Sequence, residues 1–281
     1  MIDRICISLN DVCNLKCLYC HFREKRPSVQ SRTMDVLKIL ANAKTYIDKN
    51  RISPFKIGFV GNGEVLLDYP ILKSCVLDIA NYLDDGRIRA YTITNGTQIT
   101  EEMISFLVGH KVNIGFSLDG PRRIHDPLRD GSYDRVMRGI ELFYKVTGEF
   151  PTINATVGQE VLDASDEVID FLKRFGSKIT FSRMIGSRLI SQEAYHAFLK
   201  KAQQSLEVRL GGLDCTMYGG RCGAGVNNFY FANGWVWLCG NCIDLAPVCA
   251  ADIPFDEIPL SSVAFDRDHC FHEAIRGRPS R

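Results

Sequence analysis

Along the first 210 residues, short apolar or β-branched runs alternate with longer stretches whose apolar positions recur at helical spacing. That alternation marks repeated β-α units around a parallel sheet. It predicts strands at 3–9, 54–60, 89–94, 112–118, 152–157 and 178–182. Helices are predicted between and after them, at about 32–49, 69–84, 100–109, 133–147, 163–175 and 191–207. Thr100 before Glu101 and Ser132 before Tyr133 supply start signals. Six units are fewer than the eight that close a full barrel. The expected fold is therefore α/β, a partial (β/α)6 barrel with its active site at the C-terminal ends of the strands.

After about residue 210 the pattern changes to a Gly- and Cys-rich tail with one alternating hairpin. NNFYFA and GWVWL flank Asn233 and Gly234, a strong two-residue turn signal. The expected division is a barrel at 1–210 and a small cysteine-rich domain at 211–281. No solenoid repeat or low-complexity segment interrupts either part.

Charge removes some partners from consideration. With 34 basic and 33 acidic residues the net charge is +1, so no whole-molecule field draws the chain to nucleic acid or an anionic membrane. The N-terminus has no apolar signal-peptide core, and no apolar run reaches the roughly 20 residues that span a bilayer. A cytoplasmic location is expected. Eleven cysteines then stand out, because a reducing compartment disfavours disulfides and a chain of 281 residues needs none to fold. Metal binding is the leading explanation for most of them.

Cys13, Cys17 and Cys20 follow the first strand directly. Three thiolates at spacings of four and three residues can converge on one soft metal centre, and three protein ligands on a four-iron cube leave one iron open for a ligand. Zinc is the alternative, although it more often takes paired CxxC knuckles. The run CNLKCLYC resembles the CxxxCxxC signature of the radical S-adenosylmethionine (SAM) superfamily, including the aromatic Tyr19 before the last cysteine. That resemblance implies a 4Fe-4S cluster whose open iron chelates SAM. It also implies reductive cleavage of SAM to methionine and a 5′-deoxyadenosyl radical.

Further motifs follow in order. Gly61-Asn62-Gly63-Glu64 comes after the second strand, where glycines admit a close ligand and Glu64 offers a partner for an ammonium group. It resembles the family's GGE motif, which contacts the SAM amino group, but has Asn62 before Gly63 and Val65 where proline is common. Asn95-Gly96 resembles the Asn-Gly that lies near the cofactor after strand three, and is equally a common turn dipeptide. The run from Ser117 through Asp119 to Arg129, with the helix beyond it, is similar to a segment of the sulfatase-maturase and peptide-maturase branch. The similarity implies Ser117, Asp119 and Arg129 as contacts to SAM. His125 and Asp126 read simply as caps of the loop.

In the tail, Cys222-Gly-Ala-Gly, the hairpin and Cys239-Gly-Asn-Cys242 resemble the auxiliary-cluster region called SPASM, or its shortened form, twitch. This implies one auxiliary 4Fe-4S cluster on Cys215, Cys222, Cys239 and Cys242. Cys249 or Cys270 is a replacement ligand or a free thiol, and a structural zinc knuckle is the alternative. Cys6 and Cys75 read as small buried hydrophobes. Three functions remain open: a radical SAM maturase acting on a ribosomally made peptide, a twitch-type dehydrogenase of a small-molecule alcohol, and a non-catalytic iron-sulfur or zinc module. The two enzymes need an electron donor such as a flavodoxin, ferredoxin or other reductase.

Overall fold

The computed structural model describes residues 1–20, 22, 33–176, 178–208, 222–243 and 245–261, so Cys215 and Cys270 lie outside the described residues. The chain opens with β1 (Arg4–Ile7) and α1 (Thr33–Asn50), then β2 (Phe55–Phe59), α2 (Tyr69–Asp78) and α3 (Ala80–Asp84). β3 (Ile88–Thr94), α4 (Glu101–Gly109), β4 (Asn113–Ser117), α5 (Arg122–Leu128) and α6 (Tyr133–Thr147) follow. Next come β5 (Thr152–Val157), α7 (Gln159–Asp163), α8 (Ser165–Lys173), β6 (Ile179–Arg183) and α9 (Gln192–Ala202). The tail adds β7 (Asn228–Ala232), β8 (Trp235–Trp237) and β9 (Cys249–Ala250).

Among the described residues these strands form one sheet in the order β6-β5-β4-β3-β2-β1-β7-β8-β9. It is parallel from β6 through β7 and antiparallel at β8 and β9. Because side chains alternate across a strand, register assigns the two faces. Ile5, Ile7, Ile57, Phe59, Phe116, Ala155 and Phe181 are buried on one face, where Phe116 meets Phe143 of α6 and Phe181 meets Phe198 of α9. The other face sets Cys6 beside Gly58, Gly58 beside Tyr91, Ser117 beside Asn154 and Thr156 beside Ser182. The sheet therefore turns an apolar face to its helices and a small, polar face inward, as an open barrel with a working interior does.

All six expected barrel strands form. The helix expected over 69–84 is instead two, because fully buried Ile79 leaves helical geometry (φ −107°, ψ 8°) and its carbonyl starts α3 by accepting from Tyr82 and Leu83. Ala164 breaks α7 from α8 in the same way (φ −114°, ψ 29°). The run after β4 contains α5, which periodicity does not reveal in seven residues that include Pro127.

The tail hairpin has its turn at Asn233 and Gly234, with φ of 54° and 80°, the left-handed pair that a two-residue turn between right-twisted strands needs. β7 also pairs in parallel with β1, matching Cys6 with Tyr230, so the hairpin continues the barrel's sheet.

Candidate functional site

The loop that leaves β1 is held in place at both ends. Asn10, buried, donates from Nδ2 to the Glu64 carbonyl at 3.1 Å and to Asp68 Oδ2 at 2.6 Å, and its Oδ1 accepts from the Val12 amide at 3.1 Å. The Glu64 amide returns a bond to the Val12 carbonyl at 2.8 Å. Farther along, the Leu18 amide donates to the Leu128 carbonyl at 2.8 Å and the Lys16 amide to Asp130 Oδ2 at 3.0 Å. The cysteine loop thus spans from the end of β2 to the end of α5. Cys13, Cys17 and Cys20 lie close enough on it for their charges to interact. Burial pushes the Cys17 thiol up to about 11, and the nearby Arg129 charge offsets only part of that rise. Thiols so disposed favour a soft cationic centre, which replaces the lost water and stabilises the thiolates. Among the described residues no three His, Cys, Asp or Glu side chains form a ready single-ion site.

Glu64 is buried with its carboxylate already engaged. Oε1 accepts from the Leu66 amide at 3.1 Å and from the Thr94 hydroxyl, and Oε2 accepts from the Asn95 amide at 2.7 Å. Burial pushes its pKa up despite these donors. A carboxylate has about four acceptor positions, so one remains for a further donor. Asn95 donates from Nδ2 to Asn14 Oδ1 at 2.8 Å, and its own Oδ1 accepts from Thr97 Oγ1 at 2.7 Å. Asn14 Nδ2 closes the triangle on Thr97 Oγ1 at 2.8 Å. The end of β3 is in this way tied to the residue after Cys13. Gly63 has no room for a side chain, because a Cβ there would overlap the Asn10 side chain and the Val12 carbonyl.

Asp119, fully buried, has every acceptor position filled. Oδ2 takes the Tyr19 hydroxyl and Arg129 Nε, each at 2.7 Å, while Oδ1 takes Arg129 Nη2 at 3.1 Å and the Thr156 amide at 2.8 Å. Burial opposes its charge, but Arg129, with smaller help from His125 and the Thr156 amide, holds the carboxyl below its ordinary value. Arg129 also lies over the Tyr19 ring, 5.3 Å from its centroid. Asp119 is thus the group that fixes Arg129 and Tyr19 beside the cysteine loop. His125 and Asp126 hold the turn beyond. The Asp119 amide lies 3.4 Å from His125 Nδ1, His125 Nε2 lies 3.0 Å from Ser132 Oγ, and Asp126 Oδ1 accepts from the Tyr133 amide at 2.8 Å. Ser117, half-buried on the inner face, has no side-chain hydrogen bond among the described residues.

A polar frame around three cysteines at the ends of β1 to β4 is matched by a family model. The model described as "Radical SAM superfamily" covers residues 7–172, more than half of the chain. The chain belongs to the radical SAM superfamily. Among curated radical SAM relatives, it is 30% identical over 170 residues to the AdoMet-dependent heme synthase of Methanosarcina barkeri, covering 59% of this chain and 45% of that protein. It is 24% identical over 172 residues to a cysteine-type anaerobic sulfatase-maturating enzyme of Clostridium novyi, covering 58% of this chain and 45% of that protein. The matched region thus spans about half the length of these relatives. Its fold is similar to that of native anSMEcpe with bound AdoMet, at a TM-score of 0.71 and 22% identity over 91% of this chain and 80% of that one. It is also similar to Streptococcus suis SuiB bound to S-adenosylmethionine, at 0.73 and 14% over 99% and 68%.

In the tail, two of the expected metal cysteines bracket one short turn, Cys239 just before Gly240–Cys242 and Cys242 at its end. A hydrogen bond from Cys242 lowers the Cys239 thiol, burial opposes it, and the Asn241 amide helps, 3.4 Å from Sγ. Half-buried Cys222 leads into the turn before β7. The β7–β8 register carries Cys239 back toward the start of β7. Cys75 is buried in α2, whereas Cys6 faces inward, with its sulfur 3.4 Å from the Tyr91 hydroxyl. Asn10, Asn14, Thr94, Asp11 and Tyr230 belong to the frame and were not expected from the sequence. The signal available for the first two was their place immediately around Cys13.

Proposed function

We propose that this radical SAM chain is an enzyme of the SPASM or twitch type acting on a ribosomally made peptide. In this reading Cys13, Cys17 and Cys20 hold a 4Fe-4S cluster, with one iron left for SAM. When bound, the cluster and SAM supply a 5′-deoxyadenosyl radical by one-electron reductive cleavage, and that radical removes hydrogen from a substrate carbon. The observation that carries the reading is the frame just described, in which the ends of β1 to β4 are hydrogen-bonded to the loop bearing three thiols.

The chain's own groups then have definite tasks. Asn10 and the Glu64 amide fix the backbone before Cys13, and Asn14 with Asn95 fixes it afterwards. Arg129 uses two of its five N–H donors on Asp119 and its charge is felt at Cys17, so a carboxylate of SAM is a fitting partner for the donors that remain. The remaining acceptor position of Glu64 suits an ammonium group, the Ser117 hydroxyl suits a ribose, and Gly61 and Gly63 keep the backbone close to the ligand. Tyr19 closes the far side of the loop through Asp119.

Support for a peptide substrate comes from two neighbours in fold, SuiB bound to its precursor peptide SuiA and anSMEcpe with the Cp18Cys peptide. We assign catalysis to residues 1–210 and one auxiliary 4Fe-4S cluster to 211–281, on Cys215, Cys222, Cys239 and Cys242. We further assign a flavodoxin or ferredoxin as electron donor and the cytoplasm as the compartment. No helix among the described residues is long and apolar enough to cross a membrane.

The test is anaerobic reconstitution with iron and sulfide, addition of SAM and a chemical reductant, and mass spectrometry for 5′-deoxyadenosine. Formation of 5′-deoxyadenosine that disappears when Cys13, Cys17 and Cys20 are replaced supports the reading. Cleavage that survives the triple replacement, or no cleavage by iron-loaded protein, overturns it.

A further inference from the structure

Asn62 stands where the family motif has glycine, and its side chain is not idle. Nδ2 donates to Asp11 Oδ1 at 2.6 Å, and Oδ1 accepts from the Tyr230 hydroxyl at 2.7 Å. Asp11 is two residues before Cys13, and its second oxygen accepts from Asn233 Nδ2, in the hairpin turn, at 2.8 Å. Tyr230 is buried on β7, and the backbone of Gly240 lies against its ring, since a Cβ at Gly240 would stand 3.1 Å from Tyr230 Cε2. Gly240 is flanked by Cys239 and leads to Cys242. A continuous path of contacts therefore runs from the Cys239 turn through Tyr230, Asn62 and Asp11 to the cysteine loop. Gly61 is what lets the path close, because a Cβ there would overlap the Ser8 side chain and stand 2.7 Å from the Tyr230 hydroxyl.

We infer that Asn62 is a positioning residue that sets the tail hairpin, and with it Cys239 and Cys242, against the loop that carries Cys13. Glycine at this position can do neither half of the task, since it has no side chain to donate to Asp11 or to accept from Tyr230. The middle member must donate on one side and accept on the other, and an amide does both from separate atoms without carrying charge. The inference rests on the proposed SAM site only in saying what the positioning serves. The path itself is independent of it.

The experiment uses an exchange of the two groups. N62D keeps the acceptor for Tyr230 but faces Asp11 with a second carboxylate. In D11N/N62D the donor and acceptor merely change places, Asn233 still finds an oxygen, and Tyr230 still finds its acceptor. Backbone hydrogen exchange of the anaerobically reconstituted protein is expected to quicken several-fold in N62D at both 8–14 and 228–242, and to return toward wild type in D11N/N62D. SAM affinity is expected to weaken in N62D and to recover in the double variant, because the Asn62–Asp11 bond steadies the backbone before Cys13. Quickening confined to 61–64, or a double variant as loose as N62D, overturns the inference. Failure of SAM to bind the wild type would instead overturn the proposed site, while the exchange data would still decide the path.

Discussion

Arg129 holds Asp119 with two hydrogen bonds, Nε to Oδ2 at 2.7 Å and Nη2 to Oδ1 at 3.1 Å, and both side chains are buried. Removing one member of such a pair leaves a charge without water or partner, which costs about 3–5 kcal/mol. Removing both costs less than the sum, because no orphan charge is left. D119A is therefore expected to be the least stable variant in urea unfolding, and D119A/R129M to be more stable than D119A. The Tyr19 hydroxyl and the Thr156 amide lose their acceptor in both, so neither reaches wild type. A double variant less stable than D119A would show that the ion pair is not what holds this region.

His125 gives the site a distinct pH response. Burial lowers its pKa from 6.5 to about 4, and its contacts with the Asp119 amide and Ser132 suit a neutral ring protonated on Nε2. Between about pH 6.5 and pH 4 the unfolded chain binds a proton there that the folded chain does not, so stability falls as pH falls through that window. The difference amounts to about 3 kcal/mol for this one group. Asp119, whose folded pKa is lowered, loses its contribution only below about pH 4, and Glu64, whose pKa is raised, acts in the opposite direction. Subtracting the unfolding free energies of H125N from those of wild type, pH by pH, isolates the histidine. A flat difference between pH 6.5 and 4 contradicts the assignment.

Gly63 and Gly109 offer a matched steric test. A Cβ on Gly63 would meet the Asn10 side chain and the Val12 carbonyl, whereas one on Gly109, at the end of α4, would meet nothing within 4 Å. Overpacking against backbone costs about 1–3 kcal/mol, while Gly to Ala at an unobstructed helical position is neutral or stabilising by up to about 1 kcal/mol. G63A is expected to lower the urea midpoint and to displace the loop before Cys13, and G109A to do neither. Equal midpoints for the two variants would mean that the Gly63 backbone shifts freely.

What was legible in the chain and what was not follows from distance along it. The three cysteines, Tyr19 and the run from Ser117 to Arg129 lie in contiguous motifs whose residue types already state their chemistry. The strands were readable because polar or small positions alternate with apolar ones on the way to those motifs. The frame is different in kind: Asn10 reaches Asp68 across 58 positions, Tyr230 reaches Asn62 across 168, and Asn233 reaches Asp11 across 222. No local pattern encodes such pairs. The parallel pairing of β7 with β1 creates the last two, and a hairpin signal says nothing about which strand its outer edge will join. Asn62 looked like a departure from a motif because its partner was not yet in view.

The metal content of the tail is the remaining measurable consequence. The hairpin register carries Cys239 toward the start of β7, Cys222 precedes that strand, and the Gly240–Cys242 turn brings Cys242 against Cys239. With Cys215 these suit one four-iron cluster, so reconstituted protein is expected to hold about eight irons per chain, as two such clusters require. C222A/C239A should reduce the count to about four. SAM cleavage should persist in that variant, because Cys13, Cys17 and Cys20 are untouched, whereas turnover of the true substrate should be lost. Since ligation is coupled to folding, proteolysis should reach the tail of C222A/C239A before it reaches the barrel. The strand β7 makes this last outcome informative. It is paired with β1 from Asn228 to Phe231, so a tail that loosens there must also expose an edge of the barrel sheet. Slower exchange at β1 than at β8 in the same variant would place the boundary of the loosened region between β7 and β8. A count near twelve irons would require a second auxiliary cluster that draws in Cys249 and Cys270, and a count near four with bound zinc in the wild type would make the tail a structural knuckle instead.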